Sequence, residues 1–342
     1  MANSLNGLDL DALDRHLRAV GVPRTGELRA ELISGGRSNL TFLVYDDAAK
    51  WVLRRPPLSG LTPSAHDMGR EYRVISALAG TAVPVPPAVT ASDDESVLGA
   101  PFQMVEYVPG RVVRHTEDLE ALGDRTAISE TVDALIRVLA DLHAIDPEAV
   151  GLGDFGKPAG YLERQVRRWG SQWELVQREN DPNDADVRRL HARLAESVPP
   201  QSRSAIVHGD YRIDNTLIDR DDHTKVLAVL DWEMSTLGDP VSDAALMCVY
   251  RHPMFNTIHA NAAWASPLMP DVDDLAQRYA TAAGHSLDHW EFYLALGYFK
   301  VAVIAAGIAY RARVGGGVAE GTEEVDQAVG PLIAEGLALL KG

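Results

Sequence analysis

The chain has 342 residues, 46% of them hydrophobic and 24% charged, with a net charge of −17 and a single cysteine, Cys248. That balance suits one large or two modest globular domains, and it argues against nucleic acid or an anionic membrane as the main partner, because both are held through surplus Lys and Arg. One cysteine allows neither an internal disulfide nor a cysteine-built metal site, which points to a reducing, cytoplasmic compartment.

The opening stretch, MANSLNGLDLDALDRHLRAVG, has no basic n-region and no apolar h-region, so it does not read as a secretory signal. Leu10, Leu13, Leu17 and Val20 recur at helical spacing and predict a helix over 9–20. The period then shortens. ELRAELI (27–33), LTFLVYD (40–46) and KWVLRRP (50–56) predict three antiparallel strands. A helix is expected over 64–80, with Ser64 as N-cap and Gly80 just past its end. VPVPP (83–87) suits neither a helix nor a central strand, and PFQMVEYVPG (101–110) predicts one more strand.

Beyond 110 the pattern is mostly helical, over 125–145, 158–177, 183–197, 272–284, 288–313 and 323–341. Only 205–231 returns to short strands. The apolar run 293–310 is broken by Lys300 and two glycines and reads as a core helix rather than a membrane span. The pattern divides the chain into a sheet-plus-helix region, 1–107, and a helical region, 108–342.

Two stretches concentrate polar groups between apolar ones. SGGRSNLTF (34–42) puts two glycines, Ser38 and Asn39 between the first two strands. Such a loop can cradle phosphate oxygens with its N–H groups, though by itself it reads more readily as an ordinary hairpin turn, because short glycine motifs are common. HGDYRIDN (208–215) sets His208, Asp210, Arg212, Asp214 and Asn215 in a loop between two short apolar runs, and VLAVLDWE (226–233) ends a strand at Asp231. Short strands here are expected to bring Asp210, Asn215 and Asp231 to one end of a small sheet. Asn215 and Asp231 offer the oxygen ligands Mg²⁺ prefers, and Asp210 is left to orient a hydroxyl and take its proton. Asp-x-Lys/Arg-x-x-Asn followed by a strand-terminal Asp has the logic of a kinase catalytic loop.

These residues, with GGRSNLTFLV, KWVLRRPP, PSAHDMGREYRVISAL, PFQMVEYVPGR, VLDWEMSTLGDPVSDAA and YLERQVRRW, give the chain a resemblance to the aminoglycoside phosphotransferase and choline kinase-like family. It is most similar to the kinase-like domain fused to some acyl-CoA dehydrogenases, over about 25–313. The resemblance implies an α+β, protein-kinase-like fold with a small antiparallel-sheet N-lobe and a larger, mainly helical C-lobe. It implies that Gly35, Gly36, Arg37, Ser38 and Asn39 cover the ATP phosphates and that Glu106 C=O and Val108 N–H hold adenine. Asp210 would be the base, Arg212 would reach the γ-phosphate, and Asn215 and Asp231 would bind Mg²⁺. Glu71 would pair with Arg54, which stands where protein kinases have Lys. Asp239 is expected to support the catalytic loop, His143 to pack at the end of its helix, and Glu233 to be a second metal contact or a solvated acid.

Only seven residues separate Asp231 from Asp239, too few for the activation segment that docks a protein substrate, so a small hydroxylated acceptor is expected. The resemblance favours a hydroxyacyl-CoA; Arg164, Arg167 and Arg168 on one helix read first as a solvated charged face and otherwise as a local cluster for an anionic acceptor. An aminoglycoside or other hydroxylated metabolite is the alternative acceptor, and a non-catalytic nucleotide-binding module is the alternative of a different class.

Overall fold

The computed structural model describes residues 4–5, 7–35, 39–56, 67–314 and 325–341. The chain separates into two compact units, Met1–Gly110 with Leu227–Ser235, and Arg111–Val226 with Thr236–Gly342. The stretch 227–235, which the sequence pattern assigned to the helical region, thus groups with the first unit. One tie is the Val229 N–H, which donates to Pro84 O at 2.8 Å.

The first unit is built on five antiparallel strands, β1 (Arg29–Gly35), β2 (Leu40–Tyr45), β3 (Lys50–Arg55), β4 (Ala88–Ser92) and β5 (Phe102–Glu106), in the order β1-β2-β3-β5-β4. Alternation along the strands decides which side chains face which layer. Phe42, Val44, Trp51, Leu53, Phe102 and Met104 join a core with Leu10, Leu13 and Leu17 from helix α1 (Leu10–Ala19). Arg54, between the buried Leu53 and Arg55, points to the opposite face, as does its cross-strand partner Gln103. Helix α2 (Met68–Leu78) buries Glu71, Val74, Ile75 and Leu78. Its N-cap is Asp67, which accepts from the Arg70 N–H; Ser64 lies outside the described residues. Sequence reading missed β4, an edge strand of small residues just after the proline run.

In the second unit the long helices are α3 (Arg125–Ala144), α4 (Tyr161–Val176), α5 (Asp184–Glu196), α6 (Pro240–Val249), α7 (Val272–Ala283), α8 (Trp290–Arg313) and α9 (Val329–Leu339). Helix α8 is long and apolar enough to cross a membrane, yet 83% of its apolar window is buried inside the protein, where it packs against α4, α6 and α9. The approach to α6 requires Gly297, since a Cβ there would stand 2.9 Å from Val249 Cγ2. Helix α6 escaped the sequence reading because it is apolar nearly all round, which erases the 3.6-residue period. Strand β6 (Ala205–Val207) pairs antiparallel with β7 (Thr236–Gly238), whereas the expectation was of one small sheet carrying all three site acids. The reason is local. Residues 208–215 close into a compact turn on their own hydrogen bonds, and β6 takes its partner from the segment leading into α6.

Candidate active site

Pairing β6 with β7 sets the 208–215 loop beside the start of α6, whose N-cap is Asp239 with Pro240 at the first helical position. One turn into α6, fully buried Asp243 accepts the His208 N–H on Oδ2 at 2.6 Å and the Gly209 N–H on Oδ1 at 2.8 Å. His143 Nε2 lies 3.3 Å from the same Oδ2, and His143 Nδ1 lies 2.7 Å from the Tyr279 hydroxyl. Those partners select the tautomer that donates from Nε2 and accepts at Nδ1. Burial pushes the Asp243 carboxyl up, but the hydrogen bond from His143 and those from the loop N–H groups more than reverse this, and it stays below the usual carboxylate range. Burial lowers His143.

Loop support was expected from Asp239, and the structure corrects this. Asp239 accepts from Ser202 N and Oγ, from the Val241 N–H and from the Tyr293 hydroxyl, whereas the loop hangs from Asp243. His143, expected only to pack, is a polar link in that support.

The Asp210 carboxylate is held from three sides. Oδ1 accepts from Arg212 Nη1 at 2.9 Å and from the Tyr250 hydroxyl at 2.5 Å, and Oδ2 accepts from Asn215 Nδ2 at 3.1 Å. Asn215 Nδ2 also reaches Asp210 O at 2.8 Å, which fixes the amide so that its oxygen points away from the loop backbone. Arg212 is only 7% exposed. It forms a fork with Asp214 at 2.9 and 3.0 Å and lies 4.9 Å from the Tyr250 ring centroid and 5.4 Å from that of Phe255. Burial opposes its charge, but Asp210 and Asp214 raise it well above the ordinary guanidinium value. The Arg212 guanidinium, expected to reach the γ-phosphate, braces Asp210 and Asp214 in the structure.

In the first unit, Arg54 Nη1 donates to Glu71 Oε2 at 2.8 Å and Nη2 to Asp231 Oδ1 at 3.2 Å. Gln103 Nε2 donates to the same Glu71 oxygen at 2.6 Å. Burial pushes the Glu71 carboxyl up to about 7 against the pull of Arg54. Buried Glu71 Oε1 and Gln103 Oε1 have no hydrogen-bond partner. Asp231 adopts φ +64°, ψ +61°, a left-handed conformation that costs a non-glycine residue about 1 kcal/mol or more and collects at functional sites. Ligand oxygens of Glu71, Asp231 and Glu233 lie within 4.8 Å of one another.

These donors fit a hard divalent cation. Three carboxylates share a small volume with one guanidinium, and the half-exposed Asp231 side chain presents oxygen. Asn215, in the second unit, has its amide nitrogen tied down and its oxygen available. At the expected adenine contacts, Glu106 closes β5 and its N–H donates to Pro87 O at 2.8 Å, while Val108 follows in a half-buried loop. Of the expected phosphate loop, Gly35 ends β1 opposite Leu40 and Asn39 is buried, whereas Gly36, Arg37 and Ser38 lie outside the described residues. The basic triad on α4 has three different settings. Arg164 donates to the carbonyls of Lys157 and Ala159, Arg167 is exposed, and Arg168 lies 5.5 Å from the Trp169 ring centroid.

Sequence reading missed Tyr250, Gln103 and Lys300. The last carries a signal, a lone Lys inside the apolar run 293–310, and its Nζ donates to Gly209 O at 2.7 Å.

The comparisons with known proteins agree with this geometry. Mouse (Mus musculus) acyl-CoA dehydrogenase family member 10 is 35% identical over 312 residues, covering 89% of this chain and 28% of that protein. Human (Homo sapiens) acyl-CoA dehydrogenase family member 11 is 33% identical over 343 residues, covering 96% and 42%. The chain therefore spans less than half the length of these relatives. A solved structure from Ralstonia eutropha, assigned by name to the aminoglycoside phosphotransferases, superposes with a TM-score of 0.82 at 33% identity, covering 97% of this chain and 98% of that one. Aminoglycoside phosphotransferase APH(4)-Ia, solved with ADP and hygromycin B, shares the fold at a TM-score of 0.61 and 17% identity, covering 94% and 97%. A model of the phosphotransferase enzyme family (APH) matches residues 29–293, so this chain, with its kinase-like fold and its acid-bearing loop, belongs to that family of small-molecule phosphotransferases.

Proposed function

We propose that the chain is an ATP- and Mg²⁺-dependent O-phosphotransferase that moves the γ-phosphoryl group to the hydroxyl of a small acceptor, with a hydroxyacyl-CoA as the favoured acceptor. The observation that carries this is the setting of Asp210, a carboxylate fixed by Arg212, Tyr250 and Asn215 on a loop anchored by buried Asp243. A carboxylate has about four acceptor positions. Protein donors take three of them, which leaves one on Oδ2 for the acceptor hydroxyl.

In the reaction the acceptor oxygen attacks the γ-phosphorus in line, the bond to the β-phosphate oxygen breaks, ADP leaves, and the hydroxyl proton passes to Asp210. Arg212 keeps the carboxylate aimed while this happens. Asn215 and Asp231 would hold Mg²⁺, which when bound neutralises charge on the phosphate oxygens. Glu71, itself held by Gln103, holds Arg54 on the sheet face, from which it would meet the nucleotide phosphates. Glu106 and Val108 are proposed to receive the adenine, and Gly35, Gly36, Arg37, Ser38 and Asn39 the phosphates.

Two relatives named as acyl-CoA dehydrogenase family members support the choice of acceptor. The structures named for hygromycin B and kanamycin resemble the chain at only 17% identity, which is a likeness of fold alone. The deciding experiment supplies ATP and Mg²⁺ with a panel of hydroxyacyl-CoAs and, separately, of aminoglycosides, and follows ADP release and product mass. Phosphorylated thioester is the expected result. Phosphorylated aminoglycosides alone would move the acceptor, and no acceptor-dependent ADP with any alcohol would leave only a nucleotide-binding module.

A further inference from the structure

Lys300 interrupts the apolar middle of helix α8, between Phe292 and Tyr310, and burial pushes that ammonium down to about 8, so it is still charged at neutral pH. An ammonium has three N–H donors. One goes to Gly209 O at 2.7 Å, and among the described residues no other oxygen or nitrogen accepts from it. Its Nζ also lies 5.7 Å from the Trp169 ring centroid. Beside it is a cavity of about 30 Å³ whose lining includes Tyr161, Gln165, Trp169, Gly209, Ser242 and Lys300. Since one water-sized group needs roughly 10–15 Å³, the space admits one or two such groups and no whole ligand. Gly209 is the residue immediately before Asp210.

A strut for the Gly209 carbonyl would not need a charge, because a neutral amide donates the same hydrogen bond without the cost of burying an ammonium. Two spare donors on a partly buried cation, facing a space for one or two atoms, are suited to an oxygen carrying negative charge or a strong dipole. Asp243 also lines the cavity, but its oxygens already accept from the His208 and Gly209 N–H groups and from His143, and the Trp169 ring has Lys300 at 5.7 Å and Arg168 at 5.5 Å from its centroid.

We propose that Lys300, with Trp169 as the wall, seats a carbonyl or carboxylate oxygen of the acceptor a short distance along its chain from the hydroxyl that Asp210 receives. The proposal rests on the phosphotransferase reading above and deepens it. It makes Lys300 a specificity-determining residue, and the acceptor a hydroxy acid or its thioester rather than a polycation.

The test uses three probes of one chain length: a hydroxybutanoate, the pantetheine thioester of the same acid, and a butanediol lacking the carbonyl. Binding to the full chain is measured by calorimetry, with no turnover required. The expected result is that the wild type binds one or both carbonyl-bearing probes at least tenfold more tightly than the diol. Preference for the thioester identifies a CoA-type acceptor, and preference for the carboxylate a free acid. In Lys300→Met the preference should fall to within about threefold. Lys300→Gln, which still donates to Gly209 O, should lose it equally.

Absence of the preference in the wild type overturns the proposal, with or without a folded variant. So does its persistence in either variant, or an equal weakening of all three probes, which is what a mere strut would give. None of these outcomes touches the phosphotransferase reading, which stands or falls on ADP release across the alcohol panel.

Discussion

The 208–215 loop and the Arg54 cluster are both dense in charge, yet they meet their polar requirements in different ways. Around Asp210 the polar groups answer one another: Asp243 takes two loop N–H groups, Arg212 is shared by two acids, and Asn215 ties side chain to backbone. Around Arg54, two buried oxygens lack donors, three carboxylates sit together, and Asp231 holds a left-handed backbone conformation. A satisfied network is preorganised, so the groups in it need little rearrangement when the acceptor arrives. An unsatisfied one of net negative charge can be completed by a cation. On the phosphotransferase reading proposed above, the loop would orient the acceptor and the cluster would receive metal and phosphate.

The largest expected effect is on the cluster. Excess EDTA should abolish phosphotransfer, and added Mg²⁺ should restore it. Asp231→Asn should lose turnover to the same degree while remaining folded, because Asn also tolerates φ near +64° and only the charge is removed. Full activity in EDTA, or a fully active Asp231→Asn, would break the comparison at this end.

Next comes the anchor of the loop. Asp243→Ala leaves two N–H groups and His143 without their acceptor in a buried place, and should cost about 3–5 kcal/mol in urea unfolding. Asp239→Ala removes four hydrogen bonds, none of them to the loop. It should destabilise the protein too, but lower kcat less. Equal kcat in the two folded variants would show that the loop does not depend on Asp243. Asp210→Asn follows, with a loss in kcat of at least about a hundredfold and nucleotide binding retained, as for a positioned proton acceptor. Near-normal turnover would remove Asp210 from its role.

Much of this arrangement was legible because it is local. Period-two alternation around Leu53 and Arg55 already turned Arg54 away from the core, and Asp210, Arg212 and Asn215 fall within six residues. Their nature as a loop was plain from the apolar runs on either side. The pairing of Arg54 with Glu71 came only from resemblance, since nothing in a strand and a helix 17 residues apart fixes that contact. Asp239 and Asp243 are both acids at the start of one helix, and only the pairing of β6 with β7 decides that Asp239 meets Ser202 while Asp243 meets the loop. Arg212 read as a phosphate contact by analogy; the competing acid, Asp214, was visible in the same stretch, but its geometry was not. Tyr250 reaches Asp210 across 40 residues, and Lys300 reaches Gly209 across 91, distances over which sequence pattern carries no contact information.

The smallest expected effect concerns that last cation, and it sharpens the contrast by asking whether the satisfied region holds any stored cost. Burial lowers Lys300 from the ordinary lysine value of 10.5 to about 8 in the folded protein. Below pH 8 the group is charged in both folded and unfolded chains, and the folded state bears the cost of burying it. Between pH 8 and 10.5 the unfolded chain binds more protons at this site than the folded one, so the cost is progressively relieved and stability rises with pH. The gain cannot exceed about 1.4 kcal/mol per pH unit for a single group. Other lysines and tyrosines titrate in the same range, so the measurement is a difference: urea unfolding of the wild type minus that of Lys300→Met, at intervals from pH 7 to 10.5. That difference should move in favour of the wild type as pH rises above 8. A flat difference would mean that Lys300 is not desolvated. It would also remove one of the supports for a charged oxygen seat beside Asp210, leaving the cavity and the spare donors to carry it.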